Sequence, residues 1–171
     1  ILGTGGIATK MSEALPLVEG ATMYAVASRS QQQADAFAVR HGFEKAYGSY
    51  EALINDPHVD VVYIATPHNL HFSNTLMCID AGKHVLCEKP FAVNAREVHQ
   101  MIDRARDKGV FLMEAMWSRF LPHIIHAHEM VQSGQLGDIR LLVADFCIHR
   151  PMTNPKDRKF NPELIGGALM D

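Results

Sequence analysis

The sequence is poor in cysteine, and the cysteines it has form no motif. Cys78, Cys87 and Cys147 are the three present, and no CxxC occurs. That favours reduced thiols in a cytoplasmic protein over a disulfide scaffold or a zinc site. Charge of one sign is not in excess either: 16 Lys and Arg against 19 Asp and Glu leave a formal net charge of -3. This balance gives no electrostatic reason to expect nucleic acid or a membrane surface as partner. No apolar run approaches the roughly 18 residues of a membrane span, and no signal peptide is visible. The chain also lacks an initiator Met, and only Ile1 and Leu2 precede its first glycine. What is present is ordinary: 171 residues, 47% apolar and 20% charged, enough to bury one domain or a little more.

Short β-rich runs alternate with longer helical ones through the first two thirds of the chain. Helices are predicted over Gly6–Val18, Gln31–His41, from the Ser49 N-cap through Tyr50–Ile54, over His71–Ala81, and from the Asn94 cap to Lys108. Extended segments fall between them at Ala21–Ser28, Phe43–Tyr47, Val59–Thr66, His84–Lys89 and Val110–Trp117. VDVVYIAT is a near-continuous apolar run, as suits a strand covered on both faces. This alternation argues for an α/β fold, a Rossmann-type doubly wound parallel sheet with helices on both faces. After Trp117 the pattern changes. A helix over His123–Ser133 is followed by DIRLLVADFCIH, which alternates like a strand of an antiparallel sheet, and then by a Pro- and Asn-rich stretch. Residues 1–118 therefore read as one α/β domain, and residues 119–171 as the beginning of a second, α+β domain. The sequence looks cut at both ends, with ILGTGG the tail of a first strand.

Gly3-x-Gly5-x-x-Ala8 fits the dinucleotide fingerprint in the right context, ahead of a helix and a second strand. Gly3 permits the turn, Gly5 admits a pyrophosphate, and Ala8 lets the helix pack close. Gly6 and Ile7 open the helix whose N–H groups face the phosphates. The alternative is an ordinary glycine-rich turn. The second strand ends AVASRS, with no acid to hold a ribose 2′-hydroxyl; Ser28 and Arg29 stand there. A guanidinium forks onto a 2′-phosphate, so NADP is expected in preference to NAD. HIIHAHE puts His123 and His126 on one helix face, but no further ligand set accompanies them, and no metal is expected.

GTGGIA is joined in order by ATPHNLHF (Ala65–Phe72), CEKPFA (Cys87–Ala92) and GGALMD (Gly166–Asp171). Together these resemble the Gfo/Idh/MocA family of oxidoreductases, and MEAMWSRFLP (Met113–Pro122) resembles its branch of dihydrodiol and sugar dehydrogenases. The resemblance implies that Lys89 is the catalytic lysine and that Lys89–Pro90 is often cis. It implies that Thr66, Pro67, His68, Asn69 and His71 lie near the nicotinamide. It places the family's motif aspartate on Asp171, sharing proton traffic with a His or Tyr four residues further on. Relatives usually carry glycine where Ile165 stands. The resemblance also implies a large antiparallel sheet that walls the substrate site and often forms a dimer or higher homo-oligomer.

The expected reaction is hydride transfer between nicotinamide and a carbinol of a sugar, polyol or cyclic diol. Lys89, at the C-terminal end of a parallel strand, would stabilise alkoxide character and move the proton. Glu88 would orient that lysine, hold a cofactor ribose, or form only a structural ion pair. Trp117 and Arg119 suit a substrate pocket at the domain edge, with core packing and a surface ion pair as alternatives. The competing reading is a non-catalytic NADP-binding sensor or scaffold. The 171-residue chain by itself is expected to be inactive.

Overall fold

The computed structural model describes residues 1–147, 149, 160, 161, 166 and 167. Among these residues, five parallel strands and six α-helices follow one another: α1 (Gly6–Ala14), β1 (Ala25–Ala27), α2 (Gln31–His41), β2 (Lys45–Tyr47), α3 (Tyr50–Ile54), β3 (Val61–Ile64), α4 (His71–Asp80), β4 (His84–Cys87), α5 (Ala95–Lys108), β5 (Leu112–Glu114) and α6 (Pro122–Gln132). β1 pairs with β2, and β3–β4–β5 form a second ladder; all pairings are parallel. Leu2 joins the two ladders by bridging Ala27 on one side and Ile64 on the other. Four backbone bonds hold that seam: Leu2 N–H to Tyr63 O, Gly3 N–H to Ala27 O, Ala27 N–H to Ile1 O and Ala65 N–H to Leu2 O, at 2.8–2.9 Å.

Side chains alternate across the sheet and feed two cores. Val62, Ile64, Val85 and Cys87 pack with Leu53 and Ile54 of α3, Cys78 and Ile79 of α4 and Ala105 of α5. Val26 and Tyr63 face the other way, onto Ala8 of α1 and Phe37 and Ala38 of α2. The doubly wound α/β reading is thus the observed fold. The expected caps form: Ser49 Oγ accepts from Ala52 N–H at 3.1 Å, and Asn94 Oδ1 from Glu97 N–H at 3.0 Å.

Several expected elements are shorter than their sequence pattern. α1 stops at Ala14 and gives way to a 3₁₀ turn over Leu15–Leu17. Pro16 is the cause, since it has no N–H to continue the helix. Only Ala25–Ala27 of the Ala21–Ser28 run is paired. β5 ends at Glu114, and Trp117 opens a 3₁₀ turn instead of closing a strand. The expected strand after Gly137 is not formed over residues 138–147. Leu141, Leu142, Val143 and Phe146 are exposed there, and a strand needs a ladder partner that no described residue supplies.

The edge of the sheet opposite the glycine turn is pinned by one carboxylate. Asp56, buried ahead of β3, accepts from Tyr47 Oη and Tyr24 Oη and pairs with Lys45 Nζ at 3.4 Å. Its other oxygen accepts from His58 N–H at 2.9 Å, while Lys83 Nζ donates to its backbone carbonyl at 2.8 Å. The Tyr47 hydroxyl and then the His58 N–H hold the Asp56 carboxyl well below the usual carboxylate range. A depressed folded-state value means stabilisation that is present above the unfolded value and lost as pH falls through the folded one. Asp56→Asn is therefore expected to melt lower at pH 7, and the gap from wild type is expected to close on acidification below about pH 4. Thermal melts from pH 7 to 2 check this; a gap that stays constant with pH contradicts it.

Candidate functional site

The C-terminal ends of the strands and the N-terminus of α1 surround a cleft of about 1010 Å³. Gly3 forms its inner corner. It has φ +101°, and a Cβ there would sit 2.7 Å from the Ala65 carbonyl oxygen. Glycine is required at this position by both the backbone conformation and the close approach of the chain leaving β3. Gly5 and Gly6 differ: a Cβ at either meets nothing within 4 Å, and both line the cleft. The protein's own packing does not demand glycine at either position. No side chain caps α1 and no acidic residue stands in its first turn, which leaves the helix's positive end facing the cleft. Ala8 is fully buried against the sheet, as the fingerprint requires.

Ser28 and Arg29 lie where β1 ends, also on the cleft. Ser28 is buried and its hydroxyl bonds Gln33 Oε1 at 3.2 Å. Arg29 is exposed and close enough to Tyr50 to oppose the rise that burial imposes on the Tyr50 phenol. Tyr50 lines the cleft, and so do Gln33, Ala36, Phe37 and Arg40. These five escaped the sequence reading. Gln33, Phe37 and Arg40 share one face of α2 at helical spacing, so the periodicity after Arg29 could have found them; no local pattern marks Tyr50.

The opposite wall is built from the ends of β3 and β4. Thr66, Pro67, His68, Glu88 and Lys89 line it. Thr66 is buried, and its Oγ1 accepts from Asn74 Nδ2 at 3.0 Å. His71 forms part of the same lining yet is 0% exposed, with Nε2 3.0 Å from Thr66 O and Nδ1 2.7 Å from Pro90 O. Glu88 is buried; Tyr63 Oη donates to its Oε1, and Lys89 N–H to its Oε2 at 3.1 Å. Burial, and next the Glu88 carboxylate, hold the Tyr63 phenol well above its usual range. Lys89 is half-buried just past β4, and the Lys89–Pro90 peptide is cis.

Three expected site residues are not brought here. Asn69 is exposed, and it is not among the residues that line the cleft. Trp117 and Arg119 also lie off the lining, because the chain leaves the sheet after Ala115 and folds into the exposed 3₁₀ turn. Asp171 and Ile165 lie outside the described residues. Among the described residues no group of three or more His, Cys, Asp or Glu is placed to hold a metal, and no helix is long and apolar enough to cross a membrane.

A parallel sheet whose first turn keeps two glycines clear of protein atoms, at a helix N-terminus, defines a dinucleotide-binding α/β domain. The family model described as "Oxidoreductase family, NAD-binding Rossmann fold" matches residues 1–116, and the chain belongs to that family, Gfo/Idh/MocA. It is 40% identical to D-xylose 1-dehydrogenase (NADP(+)) of Hypocrea jecorina, over 100% of this chain and 49% of that protein. It is 48% identical to trans-1,2-dihydrobenzene-1,2-diol dehydrogenase of Mus musculus, over 86% of this chain and 43% of that protein. The structure superposes on an NAD binding oxidoreductase from Klebsiella pneumoniae with a TM-score of 0.75 and 36% identity, covering 80% of this chain and 38% of that one. The chain thus spans less than half the length of these relatives.

Proposed function

We propose that the whole protein is an NADP-dependent dehydrogenase acting on a carbinol of a sugar, polyol or cyclic diol. The observation that carries this reading is one cleft lined by the glycine turn at Gly3–Ile7, by Arg29 and by Lys89. The relatives named as D-xylose and dihydrodiol dehydrogenases support the substrate class. The xylose enzyme is named for NADP(+), and Arg29 in place of a carboxylate supports the same cofactor here. When bound, the nicotinamide supplies the hydride acceptor. The chain's own residues do the rest. The first turn of α1 binds the pyrophosphate, and Arg29 forks onto the 2′-phosphate. Lys89 Nζ bonds the carbinol oxygen and takes its proton as the hydride departs. Thr66, Pro67 and His68 wall the nicotinamide side.

We also assign residues 119–171 to a separate substrate and dimerisation domain that begins here. The support is that α6 buries none of its residues and that Leu141, Leu142, Val143 and Phe146 are 76–86% exposed, apolar surface that a larger sheet or a second copy would cover.

Titration with NADPH and with NADH, followed by nicotinamide fluorescence, tests the cofactor. NADPH is expected to bind tighter by about 10–100-fold, the range of one or two charge-assisted hydrogen bonds. Arg29→Ala is expected to erase that preference and leave NADH binding in place. Equal affinities in the wild type overturn the assignment. NADP+ reduction by the whole protein with D-xylose, and with a trans-dihydrodiol as the second substrate, tests the reaction. Cofactor binding without turnover of either substrate is the result a sensor would give.

A further inference from the structure

The segment that carries Lys89 is gripped by side chains from outside it. Lys89 N–H is held by Glu88, Pro90 O faces His71 Nδ1 at 2.7 Å, and Phe91 N–H donates to Glu114 Oε1 at 2.9 Å. Three consecutive residues are thus each tied by one backbone group. The ties come from three elements: the end of β4, the start of α4 and the end of β5. The His71 contact is the more constraining because both ring nitrogens face backbone carbonyls, Pro90 O and Thr66 O. A carbonyl only accepts, so a ring nitrogen that carries a proton donates to the carbonyl it faces. His71 thereby ties the β3 exit to the β4 exit beneath the cleft floor.

Glu114 has no place in the fingerprint, the cleft lining or the lysine motif. Its half-buried carboxylate reaches across from the neighbouring strand to a peptide N–H two residues beyond Lys89. A turn starting at the end of β4 could swing about its single attachment to the strand. A carboxylate bond on its far limb removes that freedom, and a charge-assisted bond is short and directional. We propose that Glu114 is a positioning residue for Lys89: together with His71 it fixes the Pro90–Phe91 peptide on the far limb of the turn and so aims the amine into the cleft. This rests on the assignment of Lys89 to proton transfer.

The test uses the whole protein, with the aldose and cofactor of the assay above, and a double-variant cycle. Glu114→Ala is expected to lower kcat about 10–100-fold with NADPH affinity unchanged, a cost in aim rather than in binding. Glu114→Gln keeps an acceptor oxygen and is expected to restore most of the rate. In a Lys89→Met background, Glu114→Ala is expected to cost nothing more, because there is no amine left to aim. A cost that persists in that background, or NADPH affinity that falls in step with kcat, overturns the proposal in favour of a purely structural role. Lys89→Met that keeps full turnover overturns the lysine assignment and this proposal with it; Lys89→Met that loses turnover while Glu114→Ala keeps it overturns this proposal alone. A second readout needs no turnover. In cofactor-free protein with ¹³C-dimethylated lysines, the Lys89 resonance, identified by its loss in Lys89→Arg, is expected to move in Glu114→Ala; an unmoved resonance overturns the proposal.

Discussion

Lys89→Met is expected to lower kcat by about 10³-fold and to leave NADPH binding nearly unchanged. The side chain stands just past the C-terminal end of β4, on the wall of the cleft facing the glycine turn. A single group that both steadies a developing alkoxide and exchanges its proton is worth roughly 10²–10⁴-fold. Methionine matches the length of the aliphatic stem and removes only the amine. The backbone bonds at Lys89, Pro90 and Phe91 do not involve the Lys89 side chain, so the turn is expected to survive. Steady-state rates set against fluorescence titrations separate the two quantities. A parallel fall in rate and affinity would point to a damaged cleft instead of missing chemistry.

Gly3→Ala is expected to damage the fold itself. The added Cβ would lie 2.7 Å from Ala65 O and 3.1 Å from Ala65 C, both backbone atoms of the chain leaving β3. The backbone cannot give way easily, because Gly3 N–H is already bonded to Ala27 O and Ala65 N–H to Leu2 O. Strain of a non-glycine residue at φ +101° adds about 1–3 kcal/mol to the clash. Together they are expected to cost upwards of ~3 kcal/mol, on the order of a 10 °C fall in Tm. Gly6→Ala is the contrasting case. Its Cβ meets nothing within 4 Å and sits in a helix, so Tm is expected to hold or rise slightly. NADPH affinity is expected to fall even so, because the methyl enters the space we assign to the phosphates. Calorimetry and titration of the pair distinguish a glycine needed by the protein from one needed by its ligand. Equal Tm losses in both variants would contradict the distinction.

The sequence shows the fold where a rule is local. Ser49 and Asn94 cap helices, and Pro16 cuts α1 short, through contacts within a few residues of themselves. The run through Val62 and Ile64 reads as a buried strand because both faces are covered. Strand lengths are not legible in the same way. A strand ends where its neighbour's ladder ends, and among the described residues those from Ala21 to Met23 and after Ala115 join no ladder. The stretch 138–147 alternates as a strand should, yet alternation selects a face without supplying a partner. The site divides likewise. The glycine turn, Arg29 and Lys89 belong to compact motifs. Tyr50 and Glu114 reach their places only through tertiary packing, from elements whose sequences have no reason to advertise the cleft.

The seam at Leu2 bears on how much of this protein is folded at any moment. Leu2 bridges the two ladders, and the chain runs straight on to Gly5 and Gly6 on the cleft lining. A ligand bound there grips the chain immediately beside the seam. By mass action, ligand at a hundredfold excess over its dissociation constant adds about 2.7 kcal/mol to the folded state. For a marginally stable domain that is a large share of its stability. The supply of dinucleotide is then expected to govern the protein's abundance, since chains without ligand are the ones proteases find first.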